Sequence, residues 1–356
     1  MLAFLLLTTL GTPLPTRPAA EPAVTITVDS ARHVFTVRAG PFTLPDMGAM
    51  DHNAMDLGAA HATPVLHFAW PVDGWFRGFR TIVSGPSGAT LPRRLMHHMV
   101  VVNYARRQLV YPAAERLFGA GQETADARLP ASIGVPMSQG MDLGFYIAWH
   151  NDTGAALDGV YLVMTIEYLP KNQNPRPVDV FPLYMDVDLR VGGSNTFDVP
   201  PGRSERAFEF SLPVGGRILG YGGHLHDYGR QVRLEEAASG RVLARVTAET
   251  DRDGRVRGVS RSLPGVRGAG VRLVSGSRYR VVGVYDNPTG GVLQNGGMAH
   301  IAALFAPDDL RRLPRIDDRD PEYQRDLASL EMMGMGMGAG AGEQQDHAGM
   351  GHQHTP

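Results

Sequence analysis

The chain has 356 residues, of which 43% are hydrophobic, 43 are glycine and 26 are proline, a composition typical of short strands joined by turns. Its formal net charge of −2 gives no electrostatic basis for binding nucleic acid or an anionic membrane surface. Because there is no cysteine, disulfides, thiolate metal sites and cysteine nucleophiles are excluded.

The first 21 residues resemble a signal peptide. Residues 2–10 form a short apolar run, and Pro18-Ala19-Ala20 resembles a cleavage zone, although the usual positive charges are missing. We therefore expect an exported protein, in a bacterial periplasm or secreted. No later stretch approaches the ~20 apolar residues that span a bilayer, so no transmembrane segment is expected in the mature chain.

The rest of the sequence predicts an all-β protein with two domains. Residues 22–62 predict a β-hairpin, with strands at 24–28 and 34–37, followed by a Met- and His-bearing loop. Short apolar runs punctuated by proline and glycine indicate antiparallel β-sandwiches at 63–168 and 181–306, joined by a polar linker at 169–180. Residues 307–356 predict a charged, partly helical segment and a flexible Met/Gly/His tail.

Two pairs of histidines are candidate metal ligands. His224 and His226 lie two residues apart, so on a strand both rings point to the same face and can reach one ion. His97 and His98 are adjacent, and both can reach one ion only if the backbone bulges at this point. Taken singly, each of these residues is more typical of a hydrogen-bonded core histidine.

Three further donors accompany these pairs. His150 follows an apolar run and Met298 lies in a glycine-rich turn, and each alone is more typical of core packing. His300, two residues after Met298, would share its face, either beside the site or as a competing ligand. Imidazole and thioether ligands without a thiolate favour copper over zinc.

Other types of site fit the sequence less well. There is no H-E-x-x-H motif of zinc hydrolases, no Walker A loop and no G-x-S-x-G elbow. Asp227 would point to the opposite face from His226, so it is a poor third ligand for a two-His-one-carboxylate iron site.

Four short stretches, in order along the chain, resemble one known family, the copper type II, ascorbate-dependent monooxygenases. The resemblance covers residues 63–306. The matching stretches are Leu95-Met96-His97-His98-Met99, Ala148-Trp149-His150-Asn151-Asp152, Gly223-His224-Leu225-His226-Asp227-Tyr228-Gly229-Arg230 and Gly297-Met298.

The resemblance implies two jelly-roll β-sandwiches with one copper each, and a reaction in which ascorbate or another reductant and O₂ hydroxylate a C–H bond of a small molecule. It assigns the electron-transfer copper to His97, His98 and His150, and the catalytic, oxygen-reacting copper to His224, His226 and Met298. A peptide substrate is disfavoured, because Gly222 stands where the peptide-amidating members carry an arginine.

Methionine and histidine recur on both flanks of the two domains, where we interpret them as transient copper-capture ligands. These residues are Met47, Met50, His52, Met55, Met332, Met333, Met335, Met337, His347, Met350, His352 and His354. They support an alternative function, a non-catalytic copper-binding or copper-delivery protein with a copper donor protein as partner. A third alternative is a structural β-sandwich with incidental histidines.

Overall fold

The computed structural model describes residues 22–46, 61–121 and 124–333, which form two β-sandwiches in tandem. The all-β, jelly-roll-type fold predicted from the sequence is therefore confirmed. The predicted signal peptide, the loop carrying Met47, Met50, His52 and Met55, and the tail from residue 334 onward lie outside the described residues.

Two sheets packed face to face make the first sandwich. One has the strand order β1-β2-β11-β5-β9-β12, with β8 beside β5, and the other has the order β3-β10-β6-β7, with β4 beside β10. The strands are β1 (Ala23–Asp29), β2 (Val34–Leu44), β3 (His61–Ala62), β4 (Leu66–Ala69), β5 (Gly74–Ser84), β6 (Met96–Arg107), β7 (Ala114–Gly121), β8 (Asp126–Arg128), β9 (Ile133–Met137), β10 (Asp142–Trp149), β11 (Leu157–Pro170) and β12 (Val178–Asp179).

Buried and partly exposed side chains alternate along the strands, and the buried ones fill the core of the first sandwich. In β11, Leu162, Met164 and Ile166 are fully buried, while the residues between them are partly exposed, as expected of a sheet with one face on the core. The hairpin β1–β2, predicted as a separate element, pairs with β11 and belongs to this sandwich. Its Phe35 packs edge-on against Trp70, with ring centroids 4.8 Å apart.

The second sandwich has sheets ordered β13-β23-β16-β20 and β15-β21-β17-β18-β19, with the pair β14-β22 beside them. Its strands are β13 (Phe181–Asp186), β14 (Phe197–Val199), β15 (Gly202–Ser211), β16 (Gly216–Leu225), β17 (Gly229–Glu236), β18 (Val242–Thr250), β19 (Val256–Val259), β20 (Val271–Leu273), β21 (Arg278–Asn287), β22 (Leu293–Gly297) and β23 (Ala299–Pro307). A short helix α1 (Pro264–Arg267) precedes β20, and α2 (Pro321–Met333) follows the last strand.

Side-chain packing and hydrogen bonds join the two sandwiches, in addition to the chain that connects them. The turn connecting β6 and β7 inserts Leu109 into the core of the second sandwich. The Tyr111 hydroxyl accepts a hydrogen bond from the backbone N–H of Asp186 (2.9 Å) and donates one to the backbone carbonyl of the same residue (3.0 Å). In the other direction, Leu219 and Leu304 pack against the core of the first sandwich.

Helix α2 returns to the first sandwich and packs on the β6–β7 sheet. Its Tyr323 and Leu330 are buried in a small cluster with Val102 and Ala114. Within the described part of the chain, no helix is long and apolar enough to cross a membrane.

Candidate metal-binding site

The first histidine pair lies on a β-bulge in β6. Across the β6–β10 ladder, His98 faces Ala148 but Met96 faces Trp149, so His97 is an extra residue between the two pairs. The bulge required for His97 and His98 to approach each other is therefore present. Their Nδ1 atoms are 2.9 Å apart.

That separation suits either a shared proton or a shared metal ion. A metal bonded to both nitrogens at about 2.0–2.1 Å would see them at an angle of about 90°. The distance between the two nitrogens is therefore compatible with a two-nitrogen chelate.

His150 lies at the same end of the first sandwich, one residue beyond β10. Its backbone N–H donates to the carbonyl of Leu95 (2.8 Å), and nearby Asp152 pairs with Arg94 (3.0 Å). Over residues 22–46, 61–121 and 124–333, no three His, Asp or Glu side chains are close enough together to hold a metal ion. The structure thus brings His97 and His98 together but does not complete a three-histidine site with His150.

The second pair lies where β16 meets β23. His224 faces His300 across the antiparallel ladder, and the N–H of His226 donates to the carbonyl of Met298 (3.1 Å), which continues the register. Directly opposite residues, and residues two apart, share a face of the sheet. These four residues therefore occupy one face, two from each chain segment.

Ring geometry confirms how closely the imidazoles of this group approach. The ring centroids of His224 and His226 are 5.2 Å apart, at an interplanar angle of 86°. Those of His224 and His300 are 5.4 Å apart and nearly parallel, at 29°. The structure makes His300 an immediate neighbour of the predicted pair. This position is compatible with both predicted roles of His300, a residue beside the site or a competing ligand.

The backbone at Met298 is fixed by a buried tyrosine. The Tyr285 hydroxyl accepts from the Met298 N–H (3.0 Å) and donates to the Met298 carbonyl (2.5 Å). Burial raises the pKa of Tyr285, which therefore stays a neutral donor. This anchor holds residue 298 opposite His226.

A buried network of hydrogen bonds lies beside the His300 ring. The Tyr184 hydroxyl lies 3.3 Å from His300 Nδ1 and donates to Asp186 Oδ2 (2.6 Å), which also accepts from Asn195 Nδ2 (3.1 Å). Burial is the main cause that raises the pKa of Asp186, and the bond from Tyr184 opposes it. Sequence analysis missed this network because its members are single polar residues scattered over two segments, without a recurring pattern.

The two histidine pairs lie within electrostatic reach of each other although they belong to different sandwiches. The pKa of His226 is well below its usual 6.5, mainly because the ring is buried, and next because of His224, His97 and His98. A hydrogen bond to the backbone carbonyl of Gly296 acts in the opposite direction. His226 is therefore neutral near pH 7, with one ring nitrogen held by that carbonyl, an arrangement often found behind metal-binding histidines.

Gly222 stands where the peptide-amidating enzymes carry an arginine. In the structure, the side chain of Arg261 lies beside it. The Arg261 Cγ is 3.5 Å from the position that a Cβ on Gly222 would take. The Arg261 guanidinium donates to Thr124 Oγ1 (3.0 Å) and to the backbone carbonyl of Asp126 (3.4 Å), both in the first sandwich. Arg261 thus links the two sandwiches next to the histidine pairs.

Comparison with known proteins gives no family for this chain. No family model matches the sequence, and no curated protein matches it. Among solved structures, the STIV MCP is 9% identical with a TM-score of 0.35, covering 85% of this chain and all of that one. PNGF-II is 9% identical with a TM-score of 0.42, covering 76% of this chain and 66% of that one.

A Faustovirus major capsid protein is 9% identical with a TM-score of 0.21, covering 82% of this chain and 81% of that one. At such identities and TM-scores, no shared activity or assembly follows from these likenesses.

These findings correct the family assignment. The resemblance to the copper monooxygenases is wrong: no family model and no curated protein supports it. The matching stretches are only two to eight residues long. In the described residues, moreover, the expected three-histidine site has only two of its members together.

The functional predictions that followed from the resemblance are wrong with it. They comprise an enzyme that hydroxylates a small molecule with O₂, its substrate and O₂ as partners, and the alternative of a non-catalytic copper-binding or copper-delivery protein with a copper donor. Copper as a bound ion, ascorbate as a reductant, export and the individual ligand roles stay predictions.

Proposed function

We propose that this chain is a protein that binds a transition-metal ion through histidines at the boundary of its two sandwiches. The observation that supports the proposal most directly is the 2.9 Å separation of the Nδ1 atoms of His97 and His98. In the second sandwich, the ring centroid of His224 lies 5.2 Å from that of His226 and 5.4 Å from that of His300. No reaction and no transfer of metal to a partner is part of the proposal.

The kinds of donor present indicate the kind of ion. Imidazole nitrogens suit copper, zinc and nickel, whereas calcium and magnesium prefer oxygen ligands. The thioether of Met298, on the same face as His226, adds a preference for Cu(I).

Polar groups that contact the ring nitrogens of the ligands also favour metal binding. The Gly296 carbonyl fixes one nitrogen of His226, and the Tyr184 hydroxyl lies beside Nδ1 of His300. Such contacts orient the ring and raise its basicity, and their loss typically lowers metal affinity about 10–100-fold.

Metal titration of the full chain tests the proposal. Calorimetry and elemental analysis of the metal-free protein with Cu(II), Zn(II) and Ni(II) would give the stoichiometry and affinity. We expect the double variants His97→Ala/His98→Ala and His224→Ala/His226→Ala each to lose tight binding. If both bind as many ions as tightly as the wild type, the proposal is refuted.

Two control variants separate this site from other histidines. His67, which is exposed and lies 3.3 Å from Asp142, is replaced by alanine as a matched surface control and should leave binding unchanged. A second control replaces His347, His352 and His354 together, because these tail residues are predicted copper-capture ligands. We expect it to remove only weaker binding.

A further inference from the structure

A second site is indicated on another face of the first sandwich, where the end of β6 meets the segment that follows β23. A cavity of about 320 Å³ lies there, a size at the lower end of the range for small-molecule sites. Four arginines line it, namely Arg106, Arg107, Arg311 and Arg315.

Some of these guanidinium groups are buried without an acceptor. Among the described residues, Arg106 Nε and Nη1 and Arg107 Nε have no hydrogen-bond partner, although they are out of contact with solvent. Arg106 does pair with Glu115 at 3.6 Å, and its Nη2 donates to the Pro136 carbonyl (2.6 Å). Buried donors that lack a partner are rare in folded proteins, because each costs free energy, so these atoms mark uncompensated polar groups next to the cavity.

The charges in the cavity do not balance. Arg106 has Glu115 beside it, and Arg311 is held by Asp309, whose two carboxylate oxygens are 3.0 and 3.1 Å from its nitrogens. The remaining lining arginines, Arg107 and Arg315, leave an excess of positive charge. A guanidinium binds a carboxylate through two parallel hydrogen bonds, which makes an organic anion the natural complement.

Apart from Glu115, the rest of the lining is apolar. Leu109, Phe181, Leu313 and Ile316 are among the residues that face the cavity. The Arg106 guanidinium lies over the ring of Phe181, 5.4 Å from its centroid. An inorganic anion would leave this wall uncovered, whereas an apolar chain or ring would bury it.

We propose that this cavity binds an organic acid with one carboxylate and an apolar body, the carboxylate facing Arg107 and the body lying against Phe181 and Leu313. The site is separate from the histidine pairs, and the proposal does not depend on metal binding.

Calorimetric titration of the full chain in the presence of a chelator tests the proposal. Octanoate is the probe, octan-1-ol supplies the same chain without charge, and inorganic phosphate supplies charge without a chain. We expect octanoate to bind at one site per chain, at least tenfold more tightly than octanol, and phosphate not to displace it.

Two substitutions assign the binding to the cavity. Arg107→Gln should weaken octanoate binding about tenfold or more, as expected for a lost hydrogen bond between two charged groups. Arg32→Gln is the matched control and should change it less than about twofold, because Arg32 is 82% exposed, pairs with Asp29 and lies outside the cavity. Arg315→Gln repeats the first test if Arg107→Gln does not fold.

Four results would overturn the proposal, three of which concern affinity. These three are the absence of saturable octanoate binding by the wild type, equal affinity for octanol, and unchanged affinity in the folded Arg107→Gln or Arg315→Gln variant. Displacement of octanoate by phosphate at equal concentration would also overturn it, because the apolar wall would then play no part.

Discussion

Two adjacent glycines in β16 should respond oppositely to the same substitution. A Cβ on Gly223 would lie 2.3 Å from the backbone carbonyl oxygen of His300 on β23, whereas one on Gly222 would meet only Arg261 Cγ at 3.5 Å. The first separation is impossible without movement of the backbone, and the second is an ordinary contact. We expect Gly223→Ala to separate β16 from β23 at the histidines, and Gly222→Ala to be tolerated.

The size of the effect follows from these distances. Real Cβ atoms essentially never approach another heavy atom within 3.0 Å, so in Gly223→Ala the carbonyl must retreat by at least 0.7 Å. Forcing extra atoms into a packed position typically costs about 1–3 kcal/mol. Gly222→Ala should change the free energy of unfolding by no more than about 1 kcal/mol, and a gain is expected, because glycine weakens a strand.

Urea denaturation of both variants measures the difference. Gly→Ala restricts the unfolded chain equally at the two positions, so comparing the variants isolates the clash. NMR signals of the His224 and His300 rings should shift in Gly223→Ala and stay unchanged in Gly222→Ala. Equal stability of the two variants would refute the register that places His224 opposite His300.

Three further changes test other parts of the structure. Asp326→Ala leaves the mostly buried Arg116 without its carboxylate partner at 2.5 Å. It should lower the free energy of unfolding, measured by urea denaturation, by about 3–5 kcal/mol and expose α2 to hydrogen exchange. A loss under about 1 kcal/mol would contradict this. Tyr285→Phe removes both hydrogen bonds to the backbone of Met298 and should cost about 1–3 kcal/mol in the same assay, whereas an unchanged midpoint would contradict the anchoring role. Because the folded pKa of His226 is well below 6.5, the unfolded state takes up its proton first as the pH falls. The metal-free protein should thus lose stability as the pH falls through about 6.5, and His226→Gln should lose less.

The strand architecture was predictable because it depends on local pattern. The alternation at 24–28 and 34–37 located the hairpin β1–β2, which the structure extends to Ala23–Asp29 and Val34–Leu44. The sequence also showed that a bulge at His97 is required if both histidines are to reach one ion, since neighbouring residues on a regular strand point to opposite faces, and the structure has this bulge. The pairing of the hairpin with β11, more than a hundred residues away, is not contained in either segment's own pattern.

The site was harder to predict because its contacts are between distant segments. That His224 and His300 would be stacked depends on the β16–β23 register, which no local motif specifies. Asp186 and Tyr184 belong to an otherwise apolar run, and their hydrogen-bond partners come from other elements. Short histidine motifs suggested a family whose sites need three ligands each. Such motifs do not show whether the fold brings the third ligand close to the other two.

The turn between β6 and β7 affects how the molecule can be divided. Leu109 is built into the second core, and the Tyr111 hydroxyl satisfies both backbone groups of Asp186. A protein expressed only as residues 22–170 would present these side chains to solvent, and the complementary fragment would lack part of its interior. Dissection at the apparent boundary should therefore yield two aggregation-prone halves, whereas co-expression of both fragments should allow them to associate into the native arrangement.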